Sequence, residues 1–264
     1  MRKRILMSYK LNNDMRTALF EYLLRHGDDK LILGHRLSEW CGHAPILEED
    51  IALANIALDC VGQASAFLSL AAEVEDKGRS EDDLAYLRNE LQFKNLLLVE
   101  QPNKDFAQTI TRQFFYSSYG IYFFQNLAKC EFEPLAGIFS KAVKETSYHL
   151  RHCKEWMLRL GDGTEESHNK TQEAVNDLWR FTDELFFKNE IDELLIQENI
   201  LPDTNPIRET WRNYVGEVLT KATLQIPQDE NMQTGGRRGT HTEHLGHLLA
   251  EMQIIARSYP NAKW

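Results

Sequence analysis

Carboxylates, imidazoles and a tyrosine recur at helical spacing along two apolar stretches of this sequence, which is the raw material of a metal site. In Lys141–Gly161, KAVKETSYHLRHCKEWMLRLG, the residues Val143, Leu150, Cys153, Met157 and Leu160 share one arc at 100° per residue. Glu145 and His149 stand one turn apart on the edge of that arc, with His152 further round its flank. A carboxylate and an imidazole so placed are half of a metal centre, and four-helix centres take the other half from facing helices. Their usual pair is Glu-x-x-His. Here Tyr148 fills the i+3 place and the imidazole falls one position late.

A carboxylate-bridged di-iron centre needs a Glu from each of two helices and a Glu-x-x-His from each of two more. The remaining long segments meet that demand poorly. One offers Glu39 with His35 a turn before it, and another offers Asp59, three residues before Gly62, which has no side chain to coordinate with. Asp105–Lys129 holds no glutamate, and Gln108 and Gln113 are its mid-segment polar groups. The donor set is therefore irregular, and two readings follow. One is an oxygenase or oxidase with an unusual site of Glu39, Asp59, Glu145 and His149. The other, which the spacing favours, is a polar core layer in which Glu39, Asp59, Gln113 and Glu145 satisfy one another with Tyr148, His149 or water.

Two further clusters suggest weaker chemistry. His241, His244 and His247, with Glu251 a turn on, fall along one stripe of a final helix, as a surface stripe or a zinc site would. In TGGRRGT, Arg237 and Arg238 precede a helix start, where backbone N–H groups favour anions. A flexible docking loop is the simple reading, and a site for a CoA thioester the sharper one. No G-x-S-x-G, H-E-x-x-H or G-x-G-x-x-G is present, so nucleophile-elbow, zincin and dinucleotide chemistry have no support.

The elements that must position these groups read as helices throughout. Asp14 caps a short helix over Met15–Arg25, with His26-Gly27 ending it, and a second runs from Asp28 to Gly42. Glu48–Lys77 is long and apolar almost all round, as for a central bundle helix, with Asn55, Asp59 and Gln63 as its polar stripe. Ser80 and Asp83 open a helix over Asp82–Asn95, and LLLVEQPN is a connector. Asp105–Lys129 is rich in rings, and Glu133-Pro134 opens the helix that ends at Gly161. Helices over Glu165–Phe187, about Glu190–Glu198 and Pro206–Leu224 follow. Thr240 and Glu243 make a capping box for a last helix over Thr242–Ser258. The fold expected is all-α: one domain over residues 1–264, a core bundle over about 28–161 and wrapping helices over about 164–258. Phe114, Phe115, Tyr116, Tyr119, Tyr122 and Phe123 cover more than one face of their helix, so some of these rings are expected at an interface.

Composition limits the partners. A net charge of −10 argues against nucleic acid, which demands a basic face. The basic start MRKRILMSYKLNND lacks the apolar core of a secretory signal, and no apolar run approaches the roughly 20 residues of a membrane span. The four cysteines form no C-x-x-C, which suggests buried, reduced thiols and a cytoplasmic protein.

Seven blocks carry a family resemblance: LILGHRLSEWCGHAPILEEDIALANIALD, GRSEDDLAYLR, LLVEQPN-x-DFA-x-TI-x-RQ, KAVKE-x-x-YHLRH, RLGDGTEES, LWRFTDELF and TGGRRG-x-HTEHLGHLLAEMQ. In this order, from about Leu31 to Trp264, they resemble the structural (C) subunits of bacterial phenylacetyl-CoA epoxidases, also called ring-1,2-phenylacetyl-CoA monooxygenases. The resemblance implies a ferritin-like four-helix bundle with added C-terminal helices and no cofactor in this chain. It implies a related catalytic subunit that holds the di-iron centre and binds the CoA thioester. A separate reductase with flavin and an iron–sulfur cluster would deliver electrons from NADPH. No catalytic residue transfers, because none of the family's ligand positions is matched. The expected role is support of the catalytic subunit in phenylacetate degradation, by pairing through long helices. Alone, the chain would pair with a second copy.

Overall fold

The computed structural model describes residues 9, 11–204, 206–259 and 262, and among them the regular elements are all helical. Ten α-helices follow one another: α1 (Asn13–Ser38), α2 (Leu47–Glu75), α3 (Glu81–Tyr86), α4 (Leu97–Glu100), α5 (Phe106–Leu127), α6 (Glu133–Gly161), α7 (Glu165–Trp179), α8 (Glu190–Gln197), α9 (Ile207–Lys221) and α10 (Glu243–Ser258). The architecture is the expected all-α, ferritin-like bundle, with α1, α2, α5 and α6 as its long members.

Local chemistry starts these helices. The side chains of Asn12, Asp105 and Thr164 accept from the N–H groups of Met15, Gln108 and Ser167, and Pro134 opens α6. Ser80 and Asp83 form the expected capping box, but α3 stops at Tyr86, and only a 3₁₀ turn at Glu90–Gln92 follows. The connector contains the short α4, and the helix expected to reach Phe187 ends at Trp179, before a 3₁₀ turn at Asp183–Phe186.

The largest correction concerns α1. The expected break at His26-Gly27 is absent, and one helix runs from Asn13 to Ser38, so the bundle core begins well before residue 28. Gly27 serves as a contact point. A Cβ there would lie 2.7 Å from Leu68 Cδ2, so its absence lets α1 and α2 close on each other. Every residue from Arg25 to Lys30 is buried, which a sequence of that polarity disguises as a surface turn.

One cluster of buried apolar side chains runs from Ala18 in α1 to Leu249 in α10. The α5 rings lie inside it. Phe115 packs on Trp179 of α7 and Trp211 of α9, and Tyr119 on Phe186. Phe114, Phe115, Tyr116, Tyr119 and Phe123 are buried and Tyr122 is half-buried, so the expected ring interface is covered by the chain's own C-terminal helices. One exposed apolar face lies on α2. Leu47 is 70%, Ile51 55%, Leu58 69% and Val61 39% exposed, all within one arc. By length and composition, an 18-residue window of α2 would pass for a membrane span, contrary to expectation, but half of that window is buried. Cys60, Cys130 and Cys153 are buried as expected, and Cys41 is exposed.

Candidate functional site

The helix phases bring only part of the predicted polar layer together. As α2 turns, Asn55 faces solvent, Asp59 is half-buried and Gln63 is buried against α6. Nε2 of the buried His149 lies 3.0 Å from Asp59 Oδ2, and Gln63 Nε2 donates to Glu145 Oε2 at 2.7 Å. Burial lowers the His149 pKa against the pull of its hydrogen bond to Asp59, with Lys30 lowering it further. The ring is thus neutral at pH 7, and donation to a carboxylate puts its proton on Nε2. Next along α6, His152 Nε2 lies 2.7 Å from Glu49 Oε2.

The other predicted members lie elsewhere. Glu39 follows the end of α1, exposed, and accepts from Arg36 Nη1 at 2.8 Å and Asn103 Nδ2 at 2.8 Å. Gln113 is buried on α5 and donates to Ser117 Oγ at 2.8 Å, not to the α2–α6 pairs. Tyr148 is 40% exposed, because one residue from His149 is 100° of helix rotation. Gly62 is exposed, with open space where a Cβ would stand. It flattens the outer face of α2 and leaves no gap in the interior.

The group that sequence reasoning missed is Lys30. It is buried on α1 with its ammonium 4.8 Å from the centroids of both the Tyr116 and Phe124 rings. Burial lowers its pKa, against the opposing influence of Cys60, Asp29, Glu145 and Asp59. The polar layer thus shares the interior with a buried basic group, while the exposed Lys141 Nζ lies 3.4 Å from Glu145 Oε1. Among the described residues, no group of three or more His, Cys, Asp or Glu side chains is placed to hold a metal ion. The donor set does not fit a carboxylate-bridged di-iron centre. A metal cation at Glu145 would also compete with the Lys141 ammonium, 3.4 Å from its Oε1.

The rest of the buried charge ties the C-terminal segment into the bundle. Asp29 accepts two hydrogen bonds from Arg237, at 3.0 and 2.7 Å. Burial raises the Asp29 pKa to about 6 against the pull of Arg237, which leaves the pair ionised at pH 7. Arg237 therefore does not sit in a flexible docking loop, and its guanidinium is not free for a CoA phosphate. Gly236 lets this insertion reach its depth, since a Cβ there would stand 2.1 Å from Asn95 O. Arg238 is exposed, 5.2 Å from the Phe187 ring centroid.

Glu184 accepts from the backbone N–H groups of Leu97, Gly235 and Arg237, and Asp28 pairs with Arg88. Glu100 accepts from Asn95, from Thr242 and from His241 Nδ1 at 2.8 Å. Thus no histidine stripe forms. His241 precedes α10 with its side chain sealed, His244 is half-buried and His247 exposed. Nor is there a Thr240–Glu243 box, because Thr242 occupies the N-cap and donates to Glu100. A run of charges as dense as RHGDDK, matched by later arginines, is the one signal in the sequence for this network.

Comparison with known proteins gives the chain its context. The family described as "Phenylacetic acid catabolic protein" matches residues 3–264. The chain is 51% identical over 246 residues to the (C) subunit of the 1,2-phenylacetyl-CoA epoxidase of Escherichia coli (strain K12), covering 93% of this chain and 99% of that relative.

Proposed function

The chain belongs to the phenylacetic acid catabolic protein family, and from that premise we propose that it is a non-catalytic structural subunit of a 1,2-phenylacetyl-CoA epoxidase. Its work is to pack on the related catalytic subunit, which holds the di-iron centre and the CoA thioester, and to keep it in an active conformation. Electrons reach that centre from NADPH through a flavin and iron–sulfur reductase, and the assembly works in the cytoplasm.

The observation that carries this reading is the pairing within the polar layer. Asp59 and Glu145 already have protein partners, His149 Nε2 at 3.0 Å and Gln63 Nε2 at 2.7 Å, so the layer is satisfied by its own side chains. The alternative of an irregular oxygenase site requires Glu39, which is exposed and bonded to Arg36 and Asn103.

The docking face proposed is the outer arc of α2, with Leu47, Ile51, Leu58 and Val61 around the flat spot at Gly62 and Tyr148 of α6 beside it. A related bundle presenting a long apolar helix would bury this stripe, in an interface of the obligate class above about 2,000 Å². The experiment is reconstitution with the catalytic subunit. Full epoxidase activity should require both chains, with two irons bound per catalytic subunit and none per copy of this one. Stoichiometric iron in this chain alone would overturn the reading.

A further inference from the structure

Away from the α2–α6 layer, a cavity of about 140 Å³ opens between α1, α5, α8, α9 and the turn after Asp183. Three of the groups on its wall are nearly sealed from bulk solvent: Tyr22 at 3%, His26 at 5% and Tyr119 at 4% exposure. Among the described residues, neither phenol nor the imidazole makes a hydrogen bond, yet none of their polar atoms is sealed against protein. They open into the cavity. This is unusual, since neighbouring buried polar groups are tied into the Asp29–Arg237 and Arg25–Asp192 pairs.

Charge on the wall is mostly cationic, with each cation held by a carboxylate. Arg25, Lys188, Arg208 and Arg237 line it, and Asp192 is the one carboxylate among the lining residues. The partners of the other cations stand behind them: Asp29 holds Arg237, Asp183 holds Arg208 and Asp203 holds Lys188. His26 feels the result, because burial lowers its pKa and Arg237, Arg25 and Lys30 lower it further. It is neutral and able to donate. Burial raises the pKa of Tyr22 and Tyr119, so both phenols keep their protons. The remaining wall is apolar, with Phe123, Leu127, Phe186 and Ile196.

We propose that this cavity, walled by Tyr22, His26, Tyr119 and a ring of cations over aromatic side chains, is a binding site for a small carboxylate with a single-ring body. The carboxylate accepts from the two hydroxyls and the imidazole, and the ring lies against Phe123 and Phe186. A cavity of roughly 150 Å³ takes benzene, so the size suits one ring. Water would satisfy the hydroxyls, but it would gain nothing from the aromatic wall.

The test is calorimetric titration of the full chain with benzoate, with benzyl alcohol as the neutral control of similar size. One saturable site is expected, with a benzoate dissociation constant of about 1 mM or below and benzyl alcohol at least about tenfold weaker. The double variant Tyr22→Phe/Tyr119→Phe keeps both rings and should lose about tenfold in benzoate affinity, with an unchanged far-ultraviolet circular dichroism spectrum. Leu127→Trp, which fills the cavity, provides the second variant and should abolish binding. The proposal is overturned by an absence of saturable binding, by equal affinity for the alcohol, or by a double variant that binds as wild type. The titration needs no partner subunit, so its failure would leave the proposed structural role untouched.

Discussion

A buried lysine without a carboxylate within ion-pair distance costs stability, and Lys30 is such a residue among the described ones. Replacing a buried ionic group by an apolar one of similar volume is often neutral or stabilising. Lys30→Met should therefore raise stability by about 1 kcal/mol, or about 2–4 °C in thermal melts monitored by circular dichroism. A drop of several degrees would mean that the ammonium is needed where it is. His241 gives a prediction in pH. Burial alone would lower its pKa, but the Glu100 carboxylate that it faces raises it above the ordinary value. Its stabilising contribution is thus fully present below about pH 6.5 and is lost as pH rises through the folded-state pKa. Wild type should exceed His241→Gln by about 1–3 kcal/mol at pH 6, and the gap should close towards pH 9 in denaturant titrations. At this scale, spacing reveals that Asp59, Glu145 and His149 belong to facing helices. It cannot reveal Lys30, because a lysine in a charged run looks solvated until its helix is known to be central.

Among elements, α1 and α2 determine most of what the chain presents. Gly27→Ala would drive a methyl group into Leu68, so it should cost about 1–3 kcal/mol of stability, read from urea midpoints. The α2 face makes the opposite demand, that a change leave the fold alone. Leu58→Asp and Ile51→Asp lie on the exposed arc, so each should shift stability by no more than about 0.5 kcal/mol. Each should also abolish co-purification with the catalytic subunit, judged by size-exclusion of the mixed chains. If both variants still form the complex at wild-type affinity, the docking face is not α2. Helix periodicity locates nearly every element but cannot say which of two apolar helices is covered. That depends on Trp179, Phe186 and Trp211, which arrive from far along the chain to pack on Phe115 and Tyr119. Gly27 is ambiguous for a similar reason, since a helix-ending glycine and a close-packing one look alike in sequence.

At the scale of the whole molecule, the donor set predicts a measurable absence. Purified and loaded with ferrous iron, the chain should retain no stoichiometric di-iron centre by metal analysis, and two irons per chain would refute the proposed role. The seven family blocks make this scale the most legible one, since they span both the bundle and its wrapping helices. The insertion of Arg237 lies outside what they can convey, because depth is a property of the closed fold.

That insertion also sets a clock on the making of the protein. Arg237 and its partner Asp29 are 208 residues apart, and His241 and Glu184 complete the same buried joint late in the chain. At roughly 5–20 residues per second, a ribosome needs about 10–40 s between making the first half of the joint and the second. For that interval Asp29 lacks its arginine, although Gly27 and Asp28 can already meet Leu68 and Arg88. Interrupted chains ending before Gly236 would leave Asp29 and Glu184 without those partners. Synthesis almost to the end is thus a condition of closing this joint.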